Sequence, residues 1–112
     1  MLKFNNNIIK TDIYGYIIEK KIWNEIIAMF ISKKEKIFLT KKHWEIIYLI
    51  RKFYNTLNYS PNIKIIVKIL YYKYGIKKGN STYIYKLFYK NPAQKINKIS
   101  GLSKPLNCLN KY

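Results

Sequence analysis

From Trp23 to Gly101 apolar residues recur at helical spacing, but residues that begin or end helices cut the run at short intervals. This punctuation most limits the fold. Trp23, Ile26, Ile27, Phe30 and Ile31 stand at i, i+3, i+4, i+7 and i+8, one stripe of a helix that fades near Lys33 to Lys36. Thr40 is placed to cap a longer helix over roughly residues 41 to 57. Ile46, Leu49, Ile50, Phe53, Tyr54 and Leu57 form its apolar stripe, and Lys42, Glu45, Lys52 and Asn55 its outer face. Ser60-Pro61 reads as an N-cap followed by proline at the first helical position, where the missing N–H costs nothing. That third helix runs to about Lys73 and is closed by Gly75. Ile63, Ile66, Val67, Leu70 and Tyr71 form one stripe with Ile65, Ile69 and Tyr72 beside it, so the helix should be buried over most of its circumference, which marks it as the central helix of the core. Asn80-Ser81 caps a short helix carrying Ile84, Leu87 and Phe88, and Asn91-Pro92 opens another carrying Ala93, Ile96 and Ile99.

Ahead of these segments, Leu2 and Phe4 alternate with a polar residue, Asn5-Asn6-Asn7 tolerates turn geometry, and Ile8-Ile9 resumes the apolar pattern, so a small β-hairpin is expected. Asp12 to Ile18, which contains Tyr14-Gly15-Tyr16, is compatible with a second turn or a short further strand. The expected fold class is mainly α: a bundle of about five helices with an N-terminal hairpin, one domain over residues 1–101, followed by an arm over residues 102–112.

The arm differs from the rest in composition. Gly101 can end a helix, Pro105 cannot continue one, and Ser103 and Asn107 prefer turns, so the segment should leave the globule as a mobile arm. It holds the only cysteine, Cys108, which excludes an internal disulfide framework. A free thiol on an arm is a reactive group that can travel, with Lys104 and Lys111 near enough to favour the thiolate slightly; a lone terminal cysteine is equally compatible with an inert residue.

The net charge of +17 suggests nucleic acid as a partner. That signal is diluted by composition, because Ile, Lys, Asn and Tyr supply 66 of the 112 residues and are the amino acids whose codons are richest in A and T. Only one cation, Arg51, is the arginine favoured for bidentate reading of phosphates and guanine edges. The second and third helices resemble a helix-turn-helix in order only, since the third offers lysines among isoleucines where a recognition helix needs polar groups for base edges. No targeting segment is evident, and the apolar run Ile46 to Ile50 is too short to span a bilayer, so a cytoplasmic location without membrane attachment is expected. One histidine, His43, and one cysteine cannot make a metal site. His43 is expected half-exposed on a helix surface. The four glycines do not form a phosphate-cradling loop, and the glutamates show no spacing for an acid/base pair.

The C-terminal third carries a specific pattern. The run from Lys78-Gly79-Asn80-Ser81 through Leu87-Phe88, then Pro92-Ala93, then Lys98-Ile99-Ser100-Gly101-Leu102 through Cys108, closely resembles the DsrC/TusE family of sulfur-relay proteins. The likeness extends upstream through Ser60-Pro61, Phe53-Tyr54, His43-Trp44-Glu45 and the Asp12 to Tyr16 segment. The resemblance implies a small helical domain with a hairpin and a mobile arm ending in a reactive cysteine. The DsrC branch has a second arm cysteine eleven residues before the last; here that position is Asn97, so the chain is similar to the TusE branch. What this implies is a sulfurtransferase without a catalytic pocket of its own, which takes a persulfide from a TusBCD-type donor complex. It would pass the sulfur to an MnmA-type tRNA 2-thiouridylase for 2-thiolation of the wobble uridine, with contact to tRNA indirect. Cys108 matches the family's sulfur-carrying cysteine, the site of a cysteine persulfide intermediate, and no cofactor or metal is implied. The contrasting expectation is a basic RNA-binding or interaction module in which the cysteine is incidental.

Overall fold

The computed structural model describes residues 2–4 and 7–105, with side chains from residue 8 onward. Strands β1 (Leu2–Phe4) and β2 (Asn7–Ile9) pair antiparallel, with Leu2 opposite Ile9 and Phe4 opposite Asn7. Residues 11–17 combine the two alternatives left open by the sequence, for an isolated bridge between Thr11 and Ile17 closes a tight turn. The Asp12 carboxylate accepts from the backbone N–H groups of Tyr14 and Tyr16, and Gly15 adopts φ +91°. Five helices follow: α1 (Glu25–Lys34), α2 (Lys41–Leu57), α3 (Ile63–Tyr74), α4 (Ser81–Phe88) and α5 (Pro92–Ile99).

The helix starts obey local chemistry. Asn24, Asn62 and Asn80 each accept, through the side-chain oxygen, the N–H of the residue three positions on, satisfying a donor that the helix leaves orphaned. Asn62 therefore replaces the expected cap Ser60, whose hydroxyl is engaged elsewhere. Asn91 takes the left-handed conformation, φ 51°, that asparagine tolerates, before Pro92 opens α5.

The core comprises Ile9, Ile17, Ile27, Ala28, Ile31, Ile46, Ile47, Ile50, Ile66, Leu70, Ile84, Phe88, Ile96, Ile99 and Leu102. Two expectations are corrected here. The buried face of α1 is Ile27, Ala28, Ile31 and Ser32, while Ile26 is 60% exposed, because Trp23 lies ahead of the helix and turns toward α5 instead of continuing the stripe. The central helix is α5, which packs on α1, α2, α3 and α4; in α3 only Ile66 and Leu70 are buried and Tyr72 is 86% exposed. A chain rich in isoleucine and tyrosine places both on outer faces as well, so counting apolar residues overstates burial. Gly79 is buried where the loop before α4 presses on α3, and a Cβ there would overlap the Tyr71 backbone.

His43 is buried, not half-exposed, with 6% of its surface accessible. Its Nδ1 accepts the Thr40 backbone N–H at 3.0 Å, which makes Nε2 the protonated nitrogen, and Nε2–H donates to the Leu87 carbonyl at 2.7 Å. The ring also meets Phe88 edge-on at 4.9 Å. It thus closes the first turn of α2 in the manner of a capping box and ties α2 to α4.

Candidate functional site

The C-terminus of α5 is where the body hands over to the segment that bears Cys108, and it is built in detail. Gly101 adopts φ +75°, and the chain closes as a Schellman motif: Leu102 N–H donates to Asn97 O at 2.9 Å and Gly101 N–H to Lys98 O at 3.2 Å. The hydrophobic residue that such a motif wants after the glycine is Leu102, 2% exposed and part of the core. Two carbonyls then remain outside the ladder. Trp23 Nε1–H donates to Ile99 O at 2.8 Å, and Arg51 Nη1–H donates to Ser100 O at 2.6 Å. The Arg51 guanidinium lies 3.8 Å from the Trp23 ring centroid, so the two side chains form one stacked unit. Gly101 sits against this unit, and a Cβ there would strike the Trp23 ring.

Past Leu102 the chain stays on the body through Pro105. The Ser103 N–H donates to the Ser60 hydroxyl at 3.0 Å, which is what the buried Ser60 does in place of capping α3. The Lys104 ammonium lies 3.7 Å from the centre of the Tyr14 ring, and Pro105 is buried. Residues 102–105, which composition assigns to the arm, are therefore seated by a core leucine, a backbone hydrogen bond, a cation–π contact and a buried proline. Cys108 and Lys111 lie outside the described residues.

Asn97 is fully buried. Its Nδ2 donates to Pro61 O at 2.9 Å and to Ala93 O at 2.8 Å, tying α5 to the segment ahead of α3. This amide joins Ser60 and Pro61 to the same end of α5 that Trp23 and Arg51 hold from the other side. Sequence reasoning did not find Trp23, Arg51 or Ser60 as a unit. The available signal was Arg51 itself, a lone arginine retained among 21 lysines.

The electrostatics at this end are positive and partly compensated. Burial lowers the pKa of Arg51, opposed by the charge of Glu25, and the group keeps its charge. Glu25 accepts from the Tyr48 hydroxyl at 2.8 Å, a bond that, ahead of the Arg51 charge, holds its carboxyl below the ordinary range. Lys98 pairs with Glu35 at 3.2 Å. Among the described residues no group of three or more His, Cys, Asp or Glu side chains could hold a metal ion. Both nitrogens of His43 are occupied by structural bonds, so it is not poised as a general base. No helix among the described residues is long and apolar enough to cross a membrane.

Comparison with known proteins adds to this geometry. Two relatives named sulfurtransferase TusE, from Photorhabdus laumondii and Pectobacterium atrosepticum, are 48% and 45% identical to this chain over 109 residues, covering 97% of it and 98% and 100% of theirs. The fold superimposes on the solution structure of Allochromatium vinosum DsrC with a TM-score of 0.85, at 31% identity and 96% coverage of both chains. Residues 3–109, a span that includes Cys108, match the family model described as DsrC like protein. With that match over nearly its whole length, the chain belongs to the DsrC-like protein family.

Proposed function

We propose that this protein is a sulfur carrier: Cys108 accepts a persulfide sulfur from a TusBCD-type donor complex and delivers it to an MnmA-type tRNA 2-thiouridylase. The observation that carries the reading is near-full-length similarity to sulfurtransferases named TusE within a family match that extends over Cys108. The chemistry is an exchange without net redox change. The Cys108 thiolate attacks the outer sulfur of a donor cysteine persulfide, a Cys108 S–S bond forms, and the donor leaves as its thiolate. An acceptor thiolate then attacks the outer sulfur on Cys108, which returns to the thiolate.

The seated root defines the reach. Counted from Gly101 the sulfur would reach about 23 Å along extended chain, but from Pro105 only three residue steps remain, about 10 Å. A partner's reactive cysteine must therefore come close to the α5 terminus, where the Trp23–Arg51 unit, Ser60 and Tyr14 hold the chain ahead of Pro105. The reading also requires the segment beyond Pro105 to move independently of the body, which backbone order parameters would report. Asn97 supplies no second thiol, so a loaded Cys108 has no resolving cysteine in its own chain.

The test is a reconstituted relay with labelled cysteine, a cysteine desulfurase, the donor complex, the thiouridylase and tRNA. Cys108→Ser is expected to abolish transfer of label to tRNA while the far-UV and near-UV circular dichroism stay unchanged. Transfer at the wild-type rate by that variant would overturn the carrier reading.

A further inference from the structure

The charges of this chain are divided unevenly. All five acidic residues fall within residues 1–45, whereas residues 46–112 contain 13 Lys and Arg and no Asp or Glu. A drift toward codons rich in A and T raises lysine everywhere but does not clear acids from one part of a chain. Two of the acids are already paired, Glu45 with Lys78 at 2.8 Å and Glu35 with Lys98.

Within the acid-free part, α4 turns one continuous face outward. Ile84 and Phe88 are buried on its inner side, while Ser81, Thr82, Tyr85, Lys86 and Tyr89 follow one another along the outer side and are all exposed. Tyr85 and Tyr89 are 48% and 65% exposed, and their rings stand 6.0 Å apart. Lys95 reaches across from α5 to within 5.6 Å of the Tyr89 ring. Neither Lys86 nor Lys90 is ion-paired among the described residues. Ser81, Thr82, Tyr85 and Lys86 also line a shallow hollow of about 240 Å³.

We propose that this outward face of α4 binds single-stranded RNA, with bases stacked on Tyr85 and Tyr89 and phosphates neutralised by Lys86, Lys90 and Lys95. Exposed tyrosine rings flanked by lysines form the pairing that sequence-tolerant single-strand binding requires, because every base has a face to stack and every nucleotide a phosphate. A duplex keeps its bases stacked on one another and out of reach of these rings. An acidic polypeptide would use the lysines and leave the rings idle. The outer face of α4 has no part in the proposed sulfur exchange, so this inference stands or falls independently of the carrier reading.

The experiment is fluorescence polarisation with the full chain and a labelled oligouridylate, repeated with an RNA duplex and with polyglutamate as competitors. Tyr85→Ala/Tyr89→Ala is expected to weaken oligouridylate binding at least about tenfold, and Tyr85→Phe/Tyr89→Phe, which keeps the rings, to restore it. Lys86→Gln/Lys90→Gln should lower the slope of log affinity against log salt by about one and a half. Lys20→Gln/Lys21→Gln should change affinity far less, and Cys108→Ser should leave it unchanged. Binding that survives loss of both rings, or polyglutamate or duplex competing as well as the single strand, would overturn the proposal. Tyr85, Lys86, Tyr89 and Lys90 are exposed, so circular dichroism should show the variants at these positions folded.

Discussion

Arg51 occupies a position that a lysine cannot fill. Its guanidinium sits 3.8 Å from the Trp23 ring centroid while a fork nitrogen donates to the Ser100 carbonyl, a pair of contacts that suits the guanidinium fork and not a compact ammonium. Arg51→Lys is accordingly expected to destabilise the protein by about 1–2 kcal/mol, and Arg51→Ala by about 2–3 kcal/mol, since hydrogen bonds to charged groups contribute that much when partly buried. Chemical denaturation of the two variants against the wild type measures this, and equal stabilities would contradict the assigned role. His43 gives a pH signature. Burial holds its imidazole below the ordinary histidine range, partly offset by the bond to Leu87 O. The unfolded chain therefore takes up this proton near pH 6.5, before the folded chain does, so the contribution is present above that pH and is lost as pH falls toward the folded value. His43→Gln can keep the backbone contact at the start of α2 without titrating. The Tm of the variant should fall less than that of the wild type between about pH 7 and pH 5.

At the scale of elements, the α5 terminus depends on parts far apart in sequence: residue 23 ahead of α1, residue 51 in α2, and residues 60 and 61 ahead of α3. Removing the Ser60 hydroxyl leaves the Ser103 N–H without its acceptor, so Ser60→Ala should speed hydrogen exchange of the Ser103 amide while the amides of α2 and α3 keep wild-type rates. Unchanged protection at Ser103 would show that Leu102 and Pro105 seat the segment without the hydroxyl. Little of this terminus was legible beforehand. The breaks between helices were readable because Thr40, Gly75, Asn80 and Asn91-Pro92 act within their own turn. What Ser60, Arg51 and Trp23 contact is decided by packing over 43 to 76 residues of separation, which no local pattern encodes. Ser60-Pro61 has the form of a helix start, and its hydroxyl is nevertheless used by Ser103. Glycine, serine and proline around Leu102 read as the start of an arm, yet a Schellman motif needs an apolar residue there. The burial of His43 escapes local pattern for a related reason: its neighbours Lys41 and Lys42 are exposed, but one further step around α2 turns inward to Leu87.

On the scale of the whole molecule, the helical body serves as a mount. Its central helix, α5, contacts every other helix and ends at the clamp from which the Cys108 segment departs. Under the two proposals the molecule carries two working surfaces, the α5 terminus for sulfur and the outer face of α4 for RNA. The chemical claim is narrower and is tested first by mass. When the protein is incubated with cysteine, a cysteine desulfurase and the donor complex, intact-mass spectrometry should show one added sulfur, about 32 Da, lost on treatment with a thiol reductant and located to Cys108 by fragmentation. Because the chain has no second cysteine to resolve the persulfide, the loaded form should persist after removal of the donor. An unmodified mass under conditions that load the donor complex itself would contradict the account.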